Sequence, residues 1–378
     1  MSSIRRTCAC LAAAGTAIAG ALALAPGAPA LARPRPAPFL NRFRSIATIA
    51  STVPASGDVN PYGIVVVRRS QGRLVAGDIL VSNFNNKANQ QGTGRTIVEI
   101  SPRGRRTLFA TVRPGRLPGP CPGGVGLTTA LVLLPGGWVV AGSTPSANGT
   151  AATAKAGCLI VLDSSGRVRE TIAGHGINGP WDATARSSGR VTNLFVTNVL
   201  NGTVAARGRV VHRGTVLRLA LIGYGAAAPP ALAAVTTVGS GFAEQASASA
   251  FIIGPTGVGL TRAGTLYVAD TRSSRVTAIA AALTRRGSAG TGRVLTAGGA
   301  LSGPLGLALA PGGDVLTVNG GNGRIVETTP AGRQVATRLL DASGTPPGNG
   351  ALFGLALAPA ASGIYYVDDA VNTLRLLH

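Results

Sequence analysis

One short phrase recurs along this chain, and it limits the possible folds more than any other feature. It reads Pro61-Tyr62-Gly63-Ile64-Val65-Val66 and Pro180-Trp181-Asp182-Ala183. It returns as Pro255-Thr256-Gly257-Val258-Gly259-Leu260 and as Pro304-Leu305-Gly306-Leu307-Ala308-Leu309. A further copy is Phe353-Gly354-Leu355-Ala356-Leu357, and a looser one is Gly124-Val125-Gly126-Leu127. Gly257, Gly306 and Gly354 stand 49 and 48 residues apart, and the wider spacing of earlier copies implies loop insertions. Six copies at such a period mean a propeller or a solenoid.

Each copy is followed by a second apolar run that ends in a small or polar residue. Leu266-Tyr267-Val268-Ala269-Asp270 and Ile364-Tyr365-Tyr366-Val367-Asp368 are examples. A third run follows, such as Ile325-Val326-Glu327-Thr328, and a fourth closes five of the units, such as Gln334-Val335-Ala336-Thr337. The length of these runs, their β-branched and aromatic content and their Gly/Asn/Asp borders read as strands. Helical periodicity is absent. The sixth unit ends at His378 after three strands, and Arg44-Ser45-Ile46-Ala47-Thr48-Ile49 can supply its fourth. Ends that complement each other belong to a closed ring, whereas a solenoid needs caps. The expectation is all-β: a six-bladed β-propeller with four strands per blade, the last blade closed by the N-terminal strand.

The blade cores Gly264-Thr265-Leu266-Tyr267-Val268-Ala269-Asp270 and Gly313-Asp314-Val315-Leu316-Thr317-Val318-Asn319 resemble those of the NHL-repeat family. The likeness runs through nearly the whole chain after its leader and is best in blades four, five and six. It implies a blade, not a chemistry. Similar propellers serve as binding platforms, as lactonases, and as lyases acting on peptides or cyclic depsipeptides.

The N-terminus reads as a secretory leader, residues 1–32. Arg5 and Arg6 precede an apolar stretch from Leu11 to about Leu24, and Ala30-Leu31-Ala32 offers small residues for cleavage. A Pro/Arg-rich linker, 33–41, then precedes the propeller, 42–378. Export to the periplasm or medium is the expectation, with no transmembrane segment once the leader is removed. After removal the chain holds 33 basic and 13 acidic residues. Such charge attracts an anionic envelope component, and a peptide or protein partner is also consistent. Export counts against nucleic acid. The arginines are scattered over every repeat, as arginine-rich codon usage alone would place them. Cys121 and Cys158, 37 positions apart, remain in the mature chain and predict a disulfide at one end of blade two.

Loops leading into the innermost strands and loops joining second to third strands share one face of a propeller. That face is the expected site. His175 and Asp182 are the catalytic candidates, His175 because a Gly-rich loop can present it as a general base. Asn60, Tyr62, Asn178 and Trp181 are candidate ligand-binding residues. Asn83, Asn198, Asp270, Asn319 and Asp368 end the second strands, and their oxygens suit a hard divalent cation such as Ca²⁺. The same five suit bonding their own turns better, since they recur in every well-matched blade as a structural motif does. Two functions stay open: an exported ligand- or protein-binding scaffold, or a metal-assisted hydrolase or lyase of lactonase type. No Gly-x-Ser-x-Gly elbow and no His-Glu-x-x-His motif is present.

Overall fold

A computed structural model describes residues 37–378 except 224, 226 and 227. The expected leader and residues 33–36 lie outside the described residues. The fold is an all-β propeller of six antiparallel sheets. Blade one comprises Val59–Val66, Ile79–Asn85, Thr96–Ile100 and Arg106–Thr111. Blade two comprises Leu127–Leu134, Trp138–Ser143, Cys158–Leu162 and Val168–Ile172. Blade three is larger: Gly179–Ser188, Val191–Val199, Val211–Ile222 and Ala231–Ser247, with Phe251–Ile253 added at its edge. Blade four comprises Pro255–Leu260, Leu266–Asp270, Arg275–Ile279 and Arg293–Ala297. Blade five comprises Pro304–Leu309, Val315–Asn319, Arg324–Thr328 and Gln334–Leu339. Blade six comprises Leu352–Leu357, Ile364–Asp368 and Thr373–Leu377, and its outer strand is Ile46–Ser51 from the other end of the chain. The register runs from Ile46 opposite Leu377 to Ser51 opposite Thr373.

The recurring phrase has a steric reason. In every blade the ladder between the first and second strands shifts register at the phrase, as at Pro61/Ile64, Pro255/Val258 and Pro304/Leu307. The bulge turns the inner strand toward its neighbour. A Cβ on Gly257 would lie 2.1 Å from Leu305 O, on Gly306 2.0 Å from Phe353 O, and on Gly354 2.3 Å from Tyr62 O. Glycine is thus the residue that lets adjacent inner strands meet at the axis. The last of these contacts joins blade six to blade one.

Apolar clusters fill the spaces between blades. One runs through Leu80, Ile97, Leu131 and Val139 between blades one and two. Another runs through Tyr267, Val276, Leu307 and Val326 between blades four and five. The compact unit begins at Pro38, so the composition-based linker gives up its last residues to the ring. Phe39 and Leu40 are buried, and their N–H groups donate to the two carboxylate oxygens of Glu327, each at 2.8 Å. Two apolar side chains and two charge-assisted hydrogen bonds fix this end of the chain. Cys121 and Cys158 are joined by a disulfide, with Cα atoms 5.1 Å apart.

Candidate functional site

The residues that follow Pro61, Pro180 and Pro304 line the axial cavity and help form its floor. Tyr62 comes from blade one, Trp181 from blade three, Leu305 from blade five and Phe353 from the matching position of blade six. Tyr62 stacks on Phe353 with ring centroids 4.0 Å apart and on Phe84 at 4.4 Å. Trp181 meets Tyr62 edge-on at 5.7 Å and Phe84 at 5.7 Å. Tyr62 and Trp181 are each 2% exposed, so the rings close the channel rather than line an open one. Above them lies a vestibule of about 610 Å³. That is the size of a small-molecule site, and its apolar floor with a few polar groups is the usual composition of one.

The polar groups come from the loops. Asn60 immediately precedes Pro61 and adopts a left-handed φ of 60°, held by its N–H donating to Asn372 Oδ1 at 2.7 Å. With its amide oriented to satisfy its neighbours, Asn60 Nδ2 donates to Asp369 at 3.0 and 3.3 Å, and Oδ1 accepts from Asn85 Nδ2 at 3.0 Å. Asn85 Nδ2 also donates to Asn89 Oδ1 at 2.6 Å. Asn85 Oδ1 is buried with no donor. Burial and then the neighbouring Asp368 push the Asp369 carboxyl up to about 7. Burial, with Asp369 adding to it, holds the Tyr62 phenol neutral well above the usual range. Across the vestibule Arg272 donates from Nε to Gln245 Oε1 at 2.8 Å. Gly303, Gly320, Gly321 and Gly350 also line the blade-five and blade-six side. A Cβ on Gly350 would meet nothing within 4 Å.

Of the sequence-derived candidates, Asn60, Tyr62 and Trp181 gather at the vestibule. Asn178 does not line it. Its N–H donates to Asn198 Oδ1 and its Nδ2 to Asn201 Oδ1, both at 2.8 Å, so it serves its own loop. His175 sits exposed in a tight turn at φ 53° and lines neither axial cavity. Asp182 occupies the position that is glycine in most blades. Its side chain enters a second axial cavity of about 370 Å³ below the aromatic floor. There its carboxylate accepts from Ala183 N–H at 2.8 Å and Val258 N–H at 3.1 Å. Burial outweighs those two bonds and pushes it up to about 7. Asp182 thereby pins blade three to blade four.

The five second-strand ends are not brought together. Asn83 Nδ2 donates to Thr52 O and Thr96 Oγ1, and Asn198 Nδ2 to Thr215 Oγ1 at 3.0 Å. Asp270 pairs with Arg275 at 2.7 Å, Asp368 with Arg375 at 3.1 Å, and Asn319 donates to Ala300 O at 2.7 Å. Each side chain ties its own blade. Among the described residues no group of three His, Cys, Asp or Glu stands close enough to hold a metal ion. Among the residues that line the vestibule Asp369 carries the single carboxylate, with the amides of Asn60, Asn85 and Asn89 around it. Calcium takes six to eight oxygens, and the vestibule lining offers one carboxylate toward that number.

Asp369, Arg272, Asn85, Phe84 and Phe353 are site residues that sequence reasoning missed. Successive residues of a strand point to opposite sides. Asp368 therefore turns into its blade, while Asp369, one residue on, turns to the axis.

No known sequence family matches the chain, and no curated protein sequence does. Solved structures match in shape. A gluconolactonase from Xanthomonas campestris superposes with a TM-score of 0.55 at 14% identity, over 88% of this chain and 88% of that one. The likeness is one of fold. A virginiamycin B lyase from Staphylococcus aureus gives 0.51 at 11% identity, over 88% and 98%. Regucalcin, a calcium-binding protein from Agrobacterium tumefaciens, gives 0.53 at 14%, over 88% and 93%.

Proposed function

We propose that this protein is a ligand-binding propeller whose site is the axial vestibule, with Tyr62, Trp181 and Phe353 as its floor and Asn60, Asp369 and Arg272 as its polar contacts. The observation that carries this reading is Asp369. A carboxyl poised near neutrality, held by an amide and set over stacked rings, is an arrangement that folding alone does not require. The floor favours a ligand with an apolar ring or face. The neutral acid can donate one hydrogen bond to a carbonyl, the orphaned Asn85 oxygen can accept one, and Arg272 suits a carbonyl or anionic group.

A second reading is favoured by the same carboxyl. An acid with a value of about 7 exchanges protons readily at neutral pH and can act as general acid or base. The fold neighbours include a lactonase and a lyase. On this reading Asp369 either takes a proton from a water that adds to the lactone carbonyl and returns it to the ring oxygen as the acyl C–O bond breaks, or removes a carbon-bound proton as the neighbouring ester C–O bond breaks to leave an alkene and a carboxylate, with Asn60 holding the carboxyl in place.

The test is a melting-temperature screen with gluconolactone, virginiamycin B and short linear peptides, followed by assay of any compound that binds for its disappearance. Binding lost in Asp369→Asn and Trp181→Ala supports the vestibule, and turnover lost in Asp369→Asn supports the second reading. Binding that survives both substitutions contradicts both readings.

A further inference from the structure

The second axial cavity, of about 370 Å³, lies below the aromatic floor and shares no lining residue with the vestibule. Its walls are inner strands. Ile64, Leu131, Leu133, Leu307 and Leu355 make much of that lining aliphatic. Two charged residues interrupt it, Asp182 and Arg68, and they stand at opposite ends.

Asp182 is at the inner end, one residue after Trp181 of the floor. Gly63, Gly257, Gly306 and Gly354 hold the matching place in four other blades, so closing the axis does not call for a side chain there. An ionised carboxylate has about four acceptor positions. The N–H groups of Ala183 and Val258 take one on each oxygen. What fills the cavity meets the others. A carboxylate set among aliphatic walls is costly unless a cation lies beside it.

Arg68 is at the mouth. The strand Val59–Val66 runs away from the vestibule, and Arg68 follows it, exposed, at the far end. Among the described residues it forms no ion pair and donates no side-chain hydrogen bond. Arg68 stands five residues beyond Gly63, the match of Asp182. At ~3.3 Å per strand residue, about 16 Å separates the two backbone levels. The two side chains shorten that span to a slot several atoms long, with an acid at its closed end and a guanidinium at its open end.

That order of charges selects the occupant. A simple amine would pass a like charge at the mouth. A simple carboxylate would suit Arg68 but would face Asp182 with a like charge or leave it unpaired. A molecule with a cation at one end and an anion at the other satisfies both.

We infer that the second axial cavity binds a small zwitterion of the ω-amino acid type, with its ammonium on Asp182, its carboxylate on Arg68 and its short methylene chain against the aliphatic walls. Binding then depends on pH. The ammonium needs the ionised acid, and burial pushes the Asp182 carboxyl up to about 7. Affinity should therefore rise from pH 5 to pH 8. Arg68, the other charged residue of the lining, stays protonated throughout.

The test is calorimetric titration of the compact unit Pro38–His378, which closes its own ring, with 5-aminopentanoate and 6-aminohexanoate, and with pentylamine and pentanoate as single-charge controls. Saturable binding of at least one amino acid is expected, about tenfold or more tighter than either control and strengthening toward pH 8. Arg68→Gln should weaken it about tenfold. Arg69→Gln, exposed and outside the lining, should change it by no more than about twofold. Asp182→Asn should weaken it as much and remove the pH dependence. Should that variant fail to fold, the exposed Arg68→Gln still decides. The inference is overturned if neither amino acid binds, if pentylamine or pentanoate binds as tightly, or if Arg68→Gln has no more effect than Arg69→Gln.

Discussion

The side-chain amide of Asn60 lies 3.0 Å from the carboxyl of Asp369, joining blade one to blade six where the ring closes. The first blade and the last therefore meet in a polar contact at the vestibule floor. The same two blades meet sterically where Gly354 passes Tyr62 O. The site depends on closure of the ring.

Asp369 gives stability a direction with pH. Its carboxyl is pushed from the ordinary 3.8 up to about 7 in the folded chain. Between those values the unfolded chain releases the proton and the folded chain keeps it, so rising pH favours unfolding. The stabilising proton is fully present below about 4 and lost by about 7. Asp182 and Glu244, each pushed to about 7, act in the same direction. Denaturant titrations should show Asp369→Asn gaining on the wild type as pH rises from 4 to 7, with no further gain above 7.

Gly306→Ala places a methyl group 2.0 Å from Phe353 O, a backbone atom that cannot turn aside. Overpacking of this kind costs about 1–3 kcal/mol. Urea unfolding should show a loss of this size, whereas Gly312→Ala, which meets nothing within 4 Å, should be near neutral.

Glu327→Ala leaves the Phe39 and Leu40 N–H groups without their acceptor. The expected cost is about 1–3 kcal/mol. Limited proteolysis should cut near Phe39 in the variant before it cuts the wild type, because this carboxylate anchors the first segment of the ring.

Replacing both Cys121 and Cys158 by Ser frees a loop of 37 residues. In the chain-entropy model such a closure contributes roughly 4 kcal/mol. Chemical denaturation should show a loss approaching that value. Ligand binding at the vestibule should persist, since neither cysteine lines it.

The fold was legible because its constraint repeats. The Pro-x-Gly phrase marks an inner-strand bulge in blade after blade, and the strand missing from the sixth unit is found at the other end of the chain. The site was only partly legible. Tyr62 and Trp181 stand inside the phrase, so their place at the axis follows from it. Asp369 was passed over for Asp368 because strand ends are read from the last apolar residue, and one residue of phase separates a side chain tied to Arg375 from one facing the vestibule. Phe84 was hidden in the same way behind Asn83.

The most direct test of the vestibule is a thermal melt with gluconolactone and, separately, virginiamycin B, run on the wild type, Asp369→Asn and Trp181→Ala. A ligand at a hundred times its dissociation constant adds about 2.7 kcal/mol. The account predicts a rise of at least about 2 °C in the wild type with one of these compounds, and no rise in either variant once its own melting point is taken as reference. A rise of equal size in all three proteins, or none in the wild type with either compound, would contradict it.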